Sequence, residues 1–315
     1  MRKFLKMQKR FWLIFVVILV FFIIYEVRDL KSCNSLMLKE KRKTPSGVEI
    51  PKYVASSHFI SFGNLSKECK YNNQNEIVCP DVRHFGETMH RQVLLTITRM
   101  LAVINLICER HSIKYWLLAG TLLGSYRSNK LIPWDDDGDI GMLLEDYQQF
   151  LKHVRNELPE DLYFQDGSDD IHFRSTKFVN AKIRDRNSCY GYCIRKGCQW
   201  HDGIQIDIFV FLKKQDNPDV ITSTFPRFEF NSNNIFPNKK MFVDGVFLSV
   251  PAESHKVLSL LYGSDYLDPI SNACPSGRIP IPWYSCEYLG SLSLNDRIKT
   301  LKESEVHSNF LFQYI

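Results

Sequence analysis

The sequence predicts an α/β (α+β) fold in which helices cover a mixed β-sheet. Residues 87–111 carry apolar side chains at spacings of three and four, which indicates a long helix with one buried face. Three apolar runs, at 116–119, 138–143 and 203–209, have the length and composition of buried strands. With 315 residues, of which 44% are hydrophobic, the chain can bury one sizeable core and carry appendages.

The N-terminal residues predict a membrane anchor. Five of the first ten residues are Arg or Lys, and residues 11–25 form an apolar and aromatic run. As a helix, this run rises only about 22 Å across a hydrocarbon core of roughly 30 Å, so flanking apolar residues must contribute. A cleavable signal peptide is the competing interpretation, but residues 25–30 lack a small-residue cleavage pattern. We expect a cytosolic basic tail at 1–10 and a retained transmembrane signal-anchor at 11–25.

Charge and cysteine content predict the cellular compartment of the residues that follow the anchor. The net charge of +5 equals the charge of the basic tail, so it reflects topology and does not indicate nucleic-acid binding. Nine cysteines are ordinary for a secretory-pathway protein, and Asn64 begins an N-glycosylation sequon. The short anchor, without a C-terminal retrieval tetrapeptide, favours a single-pass type II Golgi membrane protein with a lumenal catalytic domain. The endoplasmic reticulum is the second choice.

The region after the anchor divides by composition. Residues 26–85 are polar and poorly periodic, which is typical of a lumenal stem, and a catalytic domain is predicted at 86–270. Residues 271–315 form a C-terminal extension. Cys69 and Cys79 can close a loop in the stem, and Cys274 and Cys286 can pair in the extension, although sequence alone does not fix any pairing.

A glycine turn follows the first predicted strand. Gly120, Thr121 and Gly124 indicate a tight turn that opens a short helix. Because the first amides of a helix have no internal partner, this turn and its hydroxyl can bind a phosphate.

An acidic segment follows the turn, with four carboxylates in five positions. If residues 138–143 form a strand, Asp137 and Asp139 point to the same face. Oxygen ligands on one face suit Mg²⁺ or Mn²⁺, which in turn suits the phosphates of a nucleotide. A solvated acidic loop is the alternative, but clustered like charges repel one another unless a cation is present. The four carboxylates are those of Asp135, Asp136, Asp137 and Asp139.

The later elements follow in order. Residues 144–158 predict a second helix, and short alternating runs at 162–165 and 181–184 predict an antiparallel meander. Lys182 and Arg184 are expected on an exposed basic face of this meander, and contact of either one with a substrate phosphate is the alternative. The Asp244-Gly245 pair predicts a β-hairpin, and residues 251–263 predict a further helix.

The glycine turn, the basic residue after it and the run Ile132-Pro-Trp-Asp-Asp-Asp-Gly-Asp-Ile-Gly-Met142 closely resemble the LicD family. That family includes bacterial phosphocholine transferases and the animal fukutin and fukutin-related proteins. Residues 261–269 are similar to its Y-G-x-[DN]-[WY] element, so the resemblance spans about residues 88–269. It implies a nucleotidyltransferase-like mixed sheet with an acid pair on one strand and a third acid on a later strand. Asp207 fits the third acid, because a lone carboxylate in an apolar strand is costly without a partner.

The resemblance also implies an activity. The expected protein is a phosphotransferase that moves a phosphocholine or ribitol-phosphate type of group from a CDP-activated donor to a glycan on protein or lipid. The implied catalytic residues are Asp137, Asp139 and Asp207, which bind Mg²⁺ or Mn²⁺ together with Asp135. The implied substrate-binding residues are Gly120, Thr121, Gly124, Ser125, Arg127 and Lys130. Arg127 can instead pair with Asp135 or Asp136.

Two other functions remain open at this point. A Golgi glycosyltransferase shares the type II topology and an Asp-x-Asp metal site for a nucleotide sugar. A scaffold of the same fold would bind metal or glycan without turnover. The oligomeric state is also open.

A cysteine-rich loop precedes the strand of Asp207. Three sulfurs and an imidazole can hold a structural Zn²⁺ ion, and fukutin-related protein is similar in carrying a zinc-binding cysteine loop. A disulfide within the loop is the alternative in an oxidising compartment. These residues are Cys189, Cys193, Cys198 and His201.

Overall fold

The chain forms two compact units, Met1–His58 and Phe59–Ile315. The computed structural model describes residues 41–43, 49–51, 60–65, 69–168, 173, 179–190, 202–224, 228–267 and 280–304. The predicted basic tail and signal-anchor, residues 1–25, lie outside the described residues. In the first unit, β1 (Lys41–Lys43) and β2 (Glu49–Pro51) form a two-stranded antiparallel sheet.

The second unit contains both helices and strands along its length. Its described helices are α1 (Phe62–Leu65), α2 (Met89–Arg110), α3 (Ala119–Ser128), α4 (Leu144–Glu157), α5 (Ser232–Ile235), α6 (Ser254–Tyr262), α7 (Cys286–Ser291) and α8 (Leu294–Ser304). Its described strands are β3 (Lys70–Tyr71), β4 (Ile77–Val78), β5 (Trp116–Leu117), β6 (Asp137–Leu143), β7 (Leu162–Asp166), β8 (Ala181–Asp185), β9 (Cys189–Tyr190), β10 (Gln205–Lys213), β11 (Val220–Ser223), β12 (Glu229–Asn231), β13 (Lys239–Val243), β14 (Val246–Val250) and β15 (Pro280–Ile281).

A seven-stranded mixed sheet forms the centre of this unit, as the sequence predicts. Its strand order is β12-β11-β10-β6-β5, and β7 and β8 join it where β8 pairs with β10. The strands β6 and β10 are parallel, and the other pairs in the sheet are antiparallel. Residues 205–211 of β10 are all buried, because a central strand is covered on both faces.

Helix α2 packs against this sheet and contributes many of the buried residues of the core. Its apolar side chains Val93, Ile97, Met100 and Ile104 have no exposed surface. Among the residues that the structure describes, α2 is also the one helix long and apolar enough to cross a membrane, but 83% of its apolar window is buried inside the protein. The predicted assignment of this segment to the core is therefore confirmed.

The predicted hairpin is present as β13 and β14. Asp244 and Gly245 both have positive φ angles, 48° and 97°, as a two-residue turn of this type requires. The carboxylate of Asp244 accepts two hydrogen bonds from the guanidinium of Arg91, at 2.7 and 3.1 Å. This buried pair fixes the hairpin to α2.

The last part of the predicted stem belongs to the second unit. Phe62, Ile77 and Val82 are buried in its core, and a disulfide joins Cys69 to Cys79. The boundary predicted at residue 86 therefore lies inside a compact unit that begins at Phe59. Only some of the apolar residues in this segment pack, since Ile60, Val78 and Phe85 are exposed.

Gly124 lies where α3 approaches the loop that follows it. A Cβ atom at this position would lie 2.5 Å from the backbone nitrogen of Ile132 and 2.8 Å from the carbonyl carbon of Leu131. Because backbone atoms cannot move aside without shifting the loop, we expect Gly124→Ala to destabilise the protein by about 1–3 kcal/mol in denaturant unfolding.

The matched control for this substitution is Gly290→Ala. Gly290 also lies in a helix, but no heavy atom is within 4 Å of the position of its Cβ. This variant should keep the wild-type stability or gain up to about 1 kcal/mol from helix propensity. Equal losses in the two variants would contradict the packing argument.

Candidate active site

The turn between β5 and α3 lies against the acidic segment. Ala119, the first residue of α3, has a φ angle of 45°, a conformation that an alanine adopts only at a cost in free energy. The position of a Cβ on Gly120 would be 3.0 Å from Oδ2 of Asp135. The first turn of α3 therefore faces a carboxylate directly, at the place where the sequence predicts a phosphate-binding turn.

The structure brings the three predicted acids together on two neighbouring strands. In the parallel pair, Asp139 of β6 lies opposite Asp207 of β10, and Asp137 lies opposite Gln205. Along β6, Asp137 and Asp139 are partly accessible whereas Gly138 and Ile140 are buried. The two acids thus share one face, as predicted from their spacing.

The acidic segment that leads into β6 provides a second group of carboxylate oxygens, which shares Asp137 with the first. One carboxylate oxygen from each of Asp135, Asp136 and Asp137 lies within 4.8 Å of the others. Asp136 is buried, and its backbone carbonyl accepts a hydrogen bond of 3.0 Å from the hydroxyl of Tyr190. Because these donors are carboxylate oxygens, the set fits a divalent cation such as Mg²⁺ or Mn²⁺.

The carboxylates perturb one another. Burial, and then the nearby charges of Asp137 and Asp207, raise the pKa of Asp139 well above its ordinary range. Burial also raises the pKa of Asp207, while the ammonium group of Lys182 acts in the opposite direction. A bound cation would remove this mutual repulsion, so the electrostatics agree with the chemistry of the donor set.

Lys182 is a functional candidate that the sequence analysis misplaced. It is only 7% exposed, and in the antiparallel pair of β8 and β10 it lies opposite Asp207, with its Nζ atom 2.5 Å from Oδ1 of that acid. Burial lowers the pKa of Lys182, and the carboxylate of Asp207 opposes this effect.

Arg184 lies two residues further along the same strand and is also buried. Its guanidinium donates to the side chain of Gln165 and to the carbonyl of Gly203. The predicted exposed basic face is therefore wrong. In the sequence, Lys182 and Arg184 alternate with the apolar Ala181 and Ile183, a pattern that indicates one exposed face. In the structure, both faces of β8 are buried.

The geometry gives new roles to two predicted substrate-binding hydroxyls. The buried Oγ1 atom of Thr121 accepts a hydrogen bond of 2.7 Å from the backbone nitrogen of Asp139. The buried hydroxyl of Ser125 donates to the carbonyl of Thr121 at 2.6 Å. Both hydroxyls are used inside the protein, where Thr121 holds the acidic strand against α3. Neither is presented to a phosphate as we expected.

Comparison with known proteins identifies the segment that carries this site. Residues 112–253 match the family model described as LicD/FKTN/FKRP, nucleotidyltransferase domain. This segment is a LicD-family domain. All three strand acids, together with Lys182 and the turn of α3, lie within it.

Several curated relatives of the LicD-family domain are transferases. The lipopolysaccharide cholinephosphotransferase LicD of Haemophilus influenzae is 36% identical over 83 residues, which cover 24% of this chain and 31% of the relative. The human ribitol-5-phosphate transferase FKTN is 25% identical over 185 residues, or 54% of this chain and 34% of the relative. The human ribitol 5-phosphate transferase FKRP is 48% identical over 40 residues, which cover 13% of this chain and 8% of the relative. The chain thus spans less than half the length of each of these proteins.

Arg127 and Lys130, the two basic residues predicted to bind substrate, differ in what their side chains contact. The guanidinium of Arg127 donates through Nε to the backbone carbonyl of Tyr266 at 2.8 Å. This contact fixes α3 to the segment that resembles the family's Y-G-x-[DN]-[WY] element. Lys130 is exposed in the loop after α3, so its ammonium group is accessible to a substrate.

The cysteine-rich loop connects to the C-terminal extension. Cys189 forms a disulfide with Cys286, 97 residues later, and β9 pairs with β15. A sulfur in a disulfide is not a zinc ligand, so Cys189 is not available for the predicted zinc set. The pairing also replaces the predicted partner of Cys286, Cys274. The other predicted ligands, Cys193, Cys198 and His201, lie outside the described residues.

The predicted N-glycosylation site lies in the first helix of the second unit. Asn64 is exposed on α1, which agrees with an accessible side chain. Its glycosylation stays a prediction.

Proposed function

We propose that the chain transfers a phospho-alcohol group, of the phosphocholine or ribitol-phosphate type, from a CDP-activated donor to a glycan on protein or lipid. The observation that carries this proposal is the convergence of Asp137, Asp139 and Asp207 on two parallel strands beside the turn of α3. The cholinephosphotransferase and ribitol-5-phosphate transferase activities of the LicD and FKTN relatives support the kind of group transferred.

In this proposal, the four acids Asp135, Asp137, Asp139 and Asp207 hold one or two divalent cations. A bound Mg²⁺ or Mn²⁺ would neutralise charge on the donor phosphates. The chain itself positions the acids: Thr121 fixes the backbone of Asp139, and Tyr190 fixes the backbone of Asp136. The backbone amides at the start of α3 donate to a phosphate oxygen of the donor, as at other helix N-termini.

Asp207 is also the proposed acceptor of the proton from the glycan hydroxyl. Its carboxylate lies opposite Asp139 in the parallel strand pair and is positioned by the ammonium group of Lys182. The ammonium group of Lys182 stabilises the charged form of Asp207. The exposed Lys130 supplies a positive charge to the leaving nucleotide.

We also propose that this domain lies in the Golgi lumen, anchored by residues 11–25. The basic tail followed by an apolar run supports a type II orientation. The disulfides Cys69–Cys79 and Cys189–Cys286 support an oxidising compartment.

The activity can be tested with the full chain purified in detergent from a secreting host. The protein is incubated with CDP-choline, CDP-ribitol and a panel of nucleotide sugars, with glycan acceptors and Mn²⁺ or Mg²⁺, while CMP and nucleoside diphosphates are quantified. Release of CMP that depends on a CDP-alcohol, an acceptor and the metal is the expected result. Release of a nucleoside diphosphate from a nucleotide sugar would instead indicate a glycosyltransferase, and no release with any donor would favour a scaffold.

A further inference from the structure

A second cluster of metal-ligating side chains shares no residue with the acidic site. His111 lies at the C-terminal end of α2, and His153 and Glu157 lie one turn apart at the end of α4. Residues four apart on a helix lie on the same face, so α4 presents an imidazole and a carboxylate side by side. Two packed helices thus bring three possible ligands together.

The distances between these side chains are close to those of a metal site. The Nε2 atom of His111 is 2.6 Å from Oε1 of Glu157, and Nδ1 of His153 is 3.5 Å from the same oxygen. One ligand atom from each residue lies within 4.8 Å of the other two. Tetrahedral bonds of about 2.0 Å separate ligand atoms by about 3.3 Å, and the two separations observed here lie on either side of that value.

A neighbouring side chain holds the carboxylate from its other side. The hydroxyl of Tyr71 donates a hydrogen bond to Oε2 of Glu157, which leaves Oε1 directed to the two imidazoles. Tyr71 lies in the hairpin of β3 and β4, and its ring is covered by the guanidinium of Arg110 at 4.2 Å. Supporting hydrogen bonds of this kind orient metal ligands.

The cluster is accessible without being fully exposed. The side chains of His111, His153 and Glu157 are 21%, 31% and 17% exposed, so water can reach the group. Two imidazoles, one carboxylate and a water molecule are a donor set of tetrahedral Zn²⁺. Mg²⁺ and Ca²⁺ prefer oxygen ligands and are disfavoured by the two nitrogens.

We propose that His111, His153 and Glu157 bind one Zn²⁺ ion, with solvent as the fourth ligand. The ion connects the end of α2 to the last turn of α4, beside the hairpin that carries Tyr71. This site is additional to the transferase function and independent of it, since none of its ligands is an acid of β6 or β10.

The two imidazole rings predict a specific change on binding. They are stacked, with centroids 3.5 Å apart and planes inclined by 11°. A metal ion lies in the plane of each imidazole that binds it, so both stacked rings cannot hold one ion. At least one ring therefore turns out of the stack when Zn²⁺ binds.

The experiment uses the full chain in detergent with Cys193→Ser and Cys198→Ser, which removes thiols that could bind zinc in the cysteine-rich loop. The protein is stripped with a chelator, returned to excess Mg²⁺ to occupy the acidic site, and titrated with Zn²⁺ or Co²⁺. Bound metal is counted by elemental analysis, and the Co²⁺ absorption spectrum reports the geometry. We expect one Zn²⁺ per chain and a tetrahedral Co²⁺ spectrum.

Single substitutions in this background identify the ligands. His153→Ala and Glu157→Gln should each weaken Zn²⁺ binding by more than about 100-fold, which exceeds the loss typical of a supporting residue. His84→Ala removes an exposed histidine outside the cluster and should leave binding unchanged. Zn²⁺ should also raise the temperature of unfolding of the background protein and of His84→Ala, but not that of His153→Ala.

Tyr71→Phe distinguishes this geometry from adventitious binding. It keeps all three ligands but removes the hydrogen bond to Glu157, so affinity should fall about 10- to 100-fold while the stoichiometry stays at one. The proposal is overturned if the background protein binds no Zn²⁺. It is also overturned if His153→Ala and Glu157→Gln bind Zn²⁺ as tightly as the background protein.

Discussion

Asp139→Asn is expected to abolish transfer while making the metal-free protein more stable at neutral pH. The loss of transfer follows from the removal of one charged oxygen ligand at the centre of the acid group. Because a catalytic metal contributes several kcal/mol to the transition state, we expect activity to fall by about 10³-fold or more. CMP release with the best CDP-alcohol donor measures this effect.

The gain in stability follows from the raised pKa of Asp139, whose causes are burial and the neighbouring carboxylates. A carboxyl group with a raised pKa in the folded state opposes folding whenever the pH is above its ordinary pKa of about 4. The penalty grows as the pH rises, until the folded group itself ionises. Asparagine has no such penalty, so the stability gain should be largest at neutral pH and should shrink as the pH approaches 4.

Thermal unfolding in a chelator, from about pH 8 to pH 4.5, tests this sign. Asp216→Asn is the matched control, because Asp216 is exposed and lies outside the acidic site. It should change neither CMP release nor the pH dependence of unfolding. A metal-free Asp139→Asn protein that is less stable than the wild type at pH 7 would contradict the electrostatic account.

Arg83→Ala is expected to cost about 3–5 kcal/mol of stability, because it leaves a buried carboxylate without its cation. The guanidinium of Arg83 is bonded to both oxygens of Asp185, at 2.9 and 2.5 Å, and neither side chain is more than 6% exposed. It also donates to the carbonyl of Pro282 at 2.6 Å. The side chain of Arg83 therefore links three parts of the chain, namely the segment that was predicted as a stem, β8 and the C-terminal extension.

Denaturant unfolding of three variants distinguishes the stability lost by leaving a buried charge unpaired from the stability lost by removing side-chain packing. Arg83→Met combined with Asp185→Leu removes both charges and should recover much of the stability lost in Arg83→Ala, since apolar groups of similar volume can replace a buried pair. Lys256→Ala breaks an exposed pair with Glu253 and should change stability by less than about 1 kcal/mol. A loss in Arg83→Ala no larger than the loss in Lys256→Ala would contradict this assignment.

Local patterns in the sequence predicted a large part of this structure. Strand alternation places Asp137 and Asp139 on one face, and the periodicity of residues 87–111 corresponds to α2. The Asp244-Gly245 turn also appears as predicted. Each of these features depends on neighbours within a few residues, so the chain itself contains the necessary information.

The features that could not be predicted depend on distant partners. Lys182 is buried because the register of β8 on β10 puts it opposite Asp207, and no local pattern fixes that register. Cys189 pairs with a cysteine in the extension rather than with one in its own loop. For Ser125, the helix offers a carbonyl acceptor one turn earlier, and that internal bond takes the hydroxyl away from a substrate.

The bond between Cys189 and Cys286 closes a covalent ring that contains the strand of Asp207. Any single peptide cut between residues 190 and 285 therefore leaves the polypeptide as one molecule, with both ends of the nick still attached. The two pieces separate on a gel only after a thiol reductant has opened the ring. Denaturing gel electrophoresis without a reductant therefore does not separate the fragments of a chain that has been cut in this region.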